Sequence, residues 1–234
     1  MYKIVFFIFS GIVFSSARVS AQEIPPLQNA VQLYEASTAE QAALYNGTEY
    51  TEADPVIIGD PFYLTKAWST GAVIYDGIEF KNQNLLYDIY KDQLIVKHFD
   101  NVSKLNLIRE KVSAFSFLNH NFIYIESTDR SLTSGFYDVL YNGRWTVLAK
   151  REKLVVERTP SPTVLERRFE ISNKYYLSYN NRYFQVKNLA DVLKVFSDRK
   201  RELRNFINTS GLNFRKNPEQ ALAAVAKQYD ELSK

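Results

Sequence analysis

The chain reads as an α+β protein: a mainly antiparallel β meander, formed as a barrel, half-barrel or sandwich, with an N-terminal helix and two C-terminal helices. Three observations predict this. Between residues 56 and 187 roughly ten or more short apolar and aromatic runs recur at intervals of about 8–12 residues, with few gaps long enough for a crossover helix. Turn pairs such as Asp76-Gly77 and Asn142-Gly143 punctuate those runs. After residue 187 the apolar spacing changes to that of helices.

The elements follow in chain order. Met1-Tyr2-Lys3, the apolar run Ile4 to Phe14 and the small or apolar Val19 and Ala21 fit a cleavable signal peptide, with the cut expected between Ala21 and Gln22. The apolar run is about 11 residues, short of the roughly 20 that span a bilayer. Pro25-Pro26 belongs to a loose leader. Leu27, Val31 and Tyr34 recur at helical spacing, so a helix is expected over about 27–44, ending before Asn46-Gly47.

Strand grammar then takes over. Val56 to Ile58 and Phe62 to Leu64 flank Gly59-Asp60-Pro61. Ala72 to Tyr75 leads into Asp76-Gly77. Leu85 to Tyr90 and Leu94 to Phe99 flank Lys91-Asp92. Leu105 to Ile108, Val112 to Leu118 and Phe122 to Ile125 follow, with a turn expected at Asn119-His120-Asn121. Phe136 to Tyr141 and Trp145 to Ala149 flank Asn142-Gly143, the strongest hairpin signal, because a type I′ turn needs two residues tolerant of positive φ. Phe169 and Ile171, then Tyr175 to Tyr179 and Tyr183 to Val186, close the series, the last pair turning at Asn180-Asn181.

Asn188 is placed to cap a helix whose stripe runs from Leu189 to Ile207 and stops near Ser210-Gly211. Asn217-Pro218-Glu219 opens the second: a capping side chain, Pro at the first helical position, an acid at the positive end of the dipole. With no linker composition in between, residues 22–234 are expected to form a single domain, helical from about 188.

Composition removes several function classes. The sequence has no Cys, which excludes disulfides, thiolate metal sites, Cys nucleophiles and lipidation at a cleavage-site Cys. The 29 Lys and Arg, less Lys3 and Arg18 in the leader, leave 27 basic against 26 acidic side chains in the expected mature chain. That balance gives no global field for nucleic acid. The expected mature chain has no second long apolar run, hence no transmembrane helix.

The search for chemistry finds no catalytic constellation. The two His, His98 and His120, are far apart in sequence and read as surface or turn residues. No Gly-x-Ser-x-Gly elbow, His-Glu-x-x-His helix, calcium loop or phosphate-cradling Gly loop occurs. Asp88 and Asp92 lie either side of an expected turn and are the only suggestion of a carboxylate pair. No catalytic residue, cofactor or metal is therefore assigned. Eight basic side chains between residues 187 and 216 face only Asp191, Asp198 and Glu202. Arg199, Lys200 and Arg204 on that helix are the candidate binding face, for an anionic surface or an acidic partner. With 16 Tyr and 16 Phe, the strands also suit stacking on a small apolar or sugar ligand.

Leu44-Tyr45-Asn46-Gly47, Ala72-Val73-Ile74-Tyr75-Asp76-Gly77, Leu86-Tyr87-Asp88-Ile89, Gly135-Phe136-Tyr137 with Leu140-Tyr141 and Ala149-Lys150, and Gln228-Tyr229-Asp230-Glu231-Leu232 carry a resemblance. The pattern resembles uncharacterised exported proteins of Bacteroidota-type Gram-negative bacteria. It implies location in the cell envelope, at the periplasm or surface, and no particular activity. The expected function is a non-enzymatic binding or scaffold module for an envelope protein or small ligand. The alternative is an envelope hydrolase whose site assembles only in space.

Overall fold

The computed structural model describes residues 42, 44–127, 132–161 and 164–233. The expected signal peptide and cleavage site lie outside the described residues, as does nearly all of the expected N-terminal helix. The chain divides into units at residues 1–39 and 40–234, and the fold below belongs to the second.

Among the described residues thirteen strands are formed: β1 (Thr48–Glu49), β2 (Ser69–Tyr75), β3 (Ile78–Asp88), β4 (Gln93–Lys97), β5 (Lys104–Asn106), β6 (Val112–Phe117), β7 (His120–Ile125), β8 (Gly135–Asn142), β9 (Thr146–Lys150), β10 (Lys153–Ser161), β11 (Val164–Ile171), β12 (Lys174–Tyr179) and β13 (Arg182–Val186). Eleven make one sheet in the order β1-β5-β4-β3-β2-β6-β7-β8-β9-β12-β13, and β10 and β11 form a separate hairpin. Every strand pairing is antiparallel. Three helices follow: α1 (Leu189–Val195), α2 (Lys200–Thr209) and α3 (Pro218–Leu232).

Tight turns set the meander. Asp76 and Gly77 (φ 50° and 82°), Leu118 and Asn119 (52° and 62°), and Asn180 and Asn181 (48° and 57°) are two-residue turns with both residues left-handed. This backbone matches the right-handed twist of flanking strands. Asn142-Gly143 departs from expectation. The β8–β9 hairpin forms, but Asn142 pairs with Thr146, leaving a three-residue loop, and neither Asn142 nor Gly143 has positive φ. The cause is Trp145, which leaves the strand for the core while its N–H donates to Asp230 on α3 at 3.2 Å. Space is short at Gly143: a Cβ would lie 2.4 Å from the Asp230 carboxylate, so that side chain would have to shift.

The sheet curls. Tyr87 on β3 and Phe136 on β8 are four strands apart in the order, yet their rings are 5.9 Å apart. In a flat sheet four spacings of about 4.8 Å would separate them by about 19 Å. The concave side holds Val73, Tyr75, Tyr87, Phe115, Phe122 and Phe136, with Phe115 and Phe122 stacked at 4.6 Å. The result is an open curled sheet, neither a closed barrel nor a two-sheet sandwich. Farther along the same side, Val147, Leu177 and Val186 meet Val192, Leu193, Phe196, Leu203, Ile207, Leu222 and Val225 from the helices. Alternation puts Tyr137, Leu148 and Tyr176 on the opposite side, as it does Leu86 and Ile95.

Three expectations are corrected. The first C-terminal helix is two helices, because the backbone breaks at Phe196 (φ −96°, ψ 45°). That break seats its ring on Tyr229 at 4.1 Å and edge-on to Trp145 at 4.9 Å. The cap at Asn188 forms, accepting from the Asp191 N–H at 3.1 Å, but Asn217 makes no side-chain cap. The expected strands at 56–58 and 62–64 are only isolated bridges, Ile58 to Arg168 in parallel and Phe62 to Asp88. Residues 61–63 instead continue beside β3 where β2 has ended, through Tyr63 N–H to Tyr87 O and Ile89 N–H to Pro61 O.

Candidate functional site

The sequence candidates disperse. Lys200 and Arg204 do share a shallow groove of about 370 Å³ with Arg201, but Asp198 and Glu202 line it too. Arg199 is outside that lining and pairs with Glu202 at 3.7 Å. Asp88 and Asp92 do not form a carboxylate pair. Asp88 accepts from Tyr50 Oη at 2.8 Å and from the N–H groups of Tyr90 and Lys91. Burial raises its pKa. Asp92 instead accepts from Tyr87 Oη at 2.6 Å and Lys150 Nζ at 2.7 Å. His98 sits in the β4–β5 loop beside Asp100, at 3.0 Å.

The structure assembles a different group around His120. The turn is Leu118-Asn119, one residue earlier than expected, so His120 opens β7 opposite Phe117. Residues two apart in a strand face the same side. His120 thereby joins the concave side with Phe122, and its Nδ1 lies 2.8 Å from Asp138 Oδ2. Asp138, on β8, is 1% exposed.

Arg151, just past β9 and 3% exposed, completes the group. Its Nε donates to Asp138 Oδ2 at 3.0 Å, and its Nη2 donates to the same oxygen. Its two terminal nitrogens also grip Glu219 in the first turn of α3, Nη2 to Oε2 at 2.9 Å and Nη1 to Oε1. Tyr175 Oη donates to Glu219 at 3.2 Å. Tyr63 Oη is 3.2 Å from His120 Nε2, and the guanidinium lies 5.4 Å from the Tyr63 ring centre. The planar fork of Arg is what lets one side chain hold two carboxylates from different elements.

These contacts fix the local electrostatics. Hydrogen bonding from Arg151 holds the Glu219 carboxyl below its ordinary value, against the opposing effect of burial. Burial works against the charge on Arg151, but Glu219 and Asp138 outweigh it and keep the guanidinium above its ordinary value. Burial pushes the Tyr63 phenol well up.

A pocket of about 440 Å³ opens against this group, with Tyr63, His120, Arg151 and Glu219 on its polar side and Ile89 and Ile171 on its apolar side. Lys153 lines it as well, but its ammonium is committed to Asp60 O (2.8 Å), Asp60 Oδ1 (3.1 Å) and Phe62 O (2.7 Å). Those bonds pin the strap that carries Tyr63.

Chemically, His120 with Asp138 is an oriented imidazole. No Ser or Thr lines the pocket among the described residues, and the nearby Tyr63 hydroxyl is a poor nucleophile with its proton held tightly. Among the described residues no group of three or more His, Cys, Asp or Glu is arranged to hold a metal ion. No helix among them is long and apolar enough to cross a membrane.

Sequence reasoning named His120 alone and missed Tyr63, Asp138, Arg151 and Glu219 as a site. The one available signal was Lys150-Arg151, two charges ending a buried run. Comparison of the chain with protein-family models, with curated proteins and with solved structures finds no match in any of the three.

Proposed function

We propose that this protein is a non-enzymatic binding module of the cell envelope, exported through its N-terminal segment, and that a small ligand seats in the His120–Arg151 pocket. The supporting observation is the state of the polar groups there. Arg151 and Lys153 already spend nearly all their donors on protein acceptors. Such a wall is held in place before a ligand arrives, which favours binding by reducing the ordering cost. Mixed apolar and polar lining is the usual character of a small-molecule site. The basic groove at Lys200 and Arg204 fits an adaptor role less well, because its own acids offset the charge.

A hydrolase reading has one observation in its favour, the His120–Asp138 bond, which would orient a general base. It needs a nucleophile that the pocket walls do not supply. Native mass spectrometry on mature protein taken from its own envelope tests the choice. A retained small-molecule mass that is lost in Tyr63→Ala is the expected result. An empty monomer that cleaves an envelope polymer, with cleavage lost in His120→Ala, would overturn it.

A further inference from the structure

The strap between β1 and β2 has a second side. There Tyr50, 5% exposed, packs with Leu86 and Ile95, and the rings of Phe62 and Trp68 lie against them. A pocket of about 320 Å³ opens between this layer, residues of the segment 52–61 and Phe169 of β11. Four rings line it: Tyr50, Phe62, Trp68 and Phe169. Asp60 touches this pocket and the His120 pocket, so the two lie on opposite sides of the same short stretch.

The polar groups of the lining are as telling as the rings. Glu52, Asp54 and Asp60 line it, and each carboxylate is tethered by a cation: Lys104, Arg167 at 2.8 Å and Lys153 at 3.1 Å. A carboxylate offers about four lone-pair sites, so each retains acceptor capacity beyond its tether. The donors of Lys66 and the Trp68 indole N–H make no hydrogen bond or ion pair among the described residues, and both side chains line the pocket. The site thus combines flat apolar faces, oriented acceptors and unspent donors, with its acids neutralised in pairs.

We infer that this pocket binds a saccharide, taking a single neutral pyranose ring. The apolar C–H face of a pyranose lies on an aromatic ring, and its hydroxyls need donors and acceptors around the edge together. A wholly apolar ligand would cover the carboxylates and the Lys66 ammonium without replacing their water. A simple anion would find only Lys66 with donors to spare, since the other cations are already paired with the three carboxylates. A polyol satisfies both kinds of wall.

Tryptophan emission reports on it, because Trp68 and Trp145 are the only two in the chain and Trp145 is buried beneath the helices. The full mature protein is titrated with maltose, cellobiose, lactose and di-N-acetylchitobiose to about 20 mM, a range suited to a Kd of about 1 mM. At least one sugar gives a saturable shift, and saturation-transfer NMR shows its ring protons in contact with protein. Trp68→Ala weakens that sugar at least about tenfold, and Trp68→Phe, which keeps a ring, weakens it by less than about threefold. Lys66→Ala, at an exposed side chain, also weakens binding and serves if Trp68→Ala does not fold. No saturable shift with any of the four sugars would overturn the inference. So would binding that survives both Trp68→Ala and Lys66→Ala, or a response to a proline-rich peptide alone.

Discussion

Arg151 is the residue on which the interior depends. Buried ion pairs are not strongly stabilising against apolar replacements of the whole set, but removing one partner strands a buried charge. Arg151→Met leaves Asp138, 1% exposed, without its guanidinium. Equilibrium urea unfolding should show a loss of about 3–5 kcal/mol. Arg151→Lys should recover part of it, since an ammonium keeps the charge and loses the fork. A loss below about 0.5 kcal/mol for Arg151→Met, the size expected of surface changes, would remove the cluster from the core account. Little of this was legible in the sequence. Arg151 and Glu219 are 68 positions apart, and no local pattern announces such a pair. His120 was visible as a residue but was expected within a turn, so its place at the start of β7 on the concave side was missed.

At the scale of elements, turn chemistry was legible where local preference decided it and hidden where a distant contact did. Asn180-Asn181 takes the left-handed pair its sequence suggests; Asn142-Gly143 does not, because Trp145 and Asp230 reshape that loop. Paired substitutions test the distinction. Asn181→Val, at φ 57°, should lower stability by about 1–2 kcal/mol, since a β-branched side chain fits poorly there. Asn142→Val, at an exposed strand end, should stay within about 0.5 kcal/mol in the same unfolding assay. Strand β10 escaped the sequence reading for a similar reason: Leu154-Val155-Val156 passes into charged residues and Pro160, and its hairpin stands apart from the main sheet.

The docking of α3 carries a pH dependence. Glu219 has a lowered pKa in the fold, so its stabilisation is present above its ordinary value of 4.5 and is lost as pH falls below that value. Asp88 has a raised pKa and works in the opposite sense, its burial cost being relieved in acid. Thermal unfolding followed from pH 6 toward pH 3 should therefore show a fall in Tm that is smaller in Glu219→Gln. An identical fall in both proteins would detach Glu219 from acid stability.

For the whole molecule, the legible part was the class: short strands paired with sequence neighbours, then helices. Binary periodicity carries that much. How the sheet curls was not legible, because the meeting of Tyr87 with Phe136 depends on twist summed over intervening strands. The seam between the aromatic half of the concave side and its helix-covered half is where His120, Asp138, Arg151 and Glu219 meet and where the pocket opens. The most direct test of that reading is hydrogen exchange on protein isolated from its native source, compared with the same protein stripped by unfolding and refolding. The account predicts slower exchange in the loaded form at residues 61–64, 119–121, 171–173 and 217–221. Equal exchange over all four segments, together with substrate turnover that His120→Ala abolishes, would contradict it.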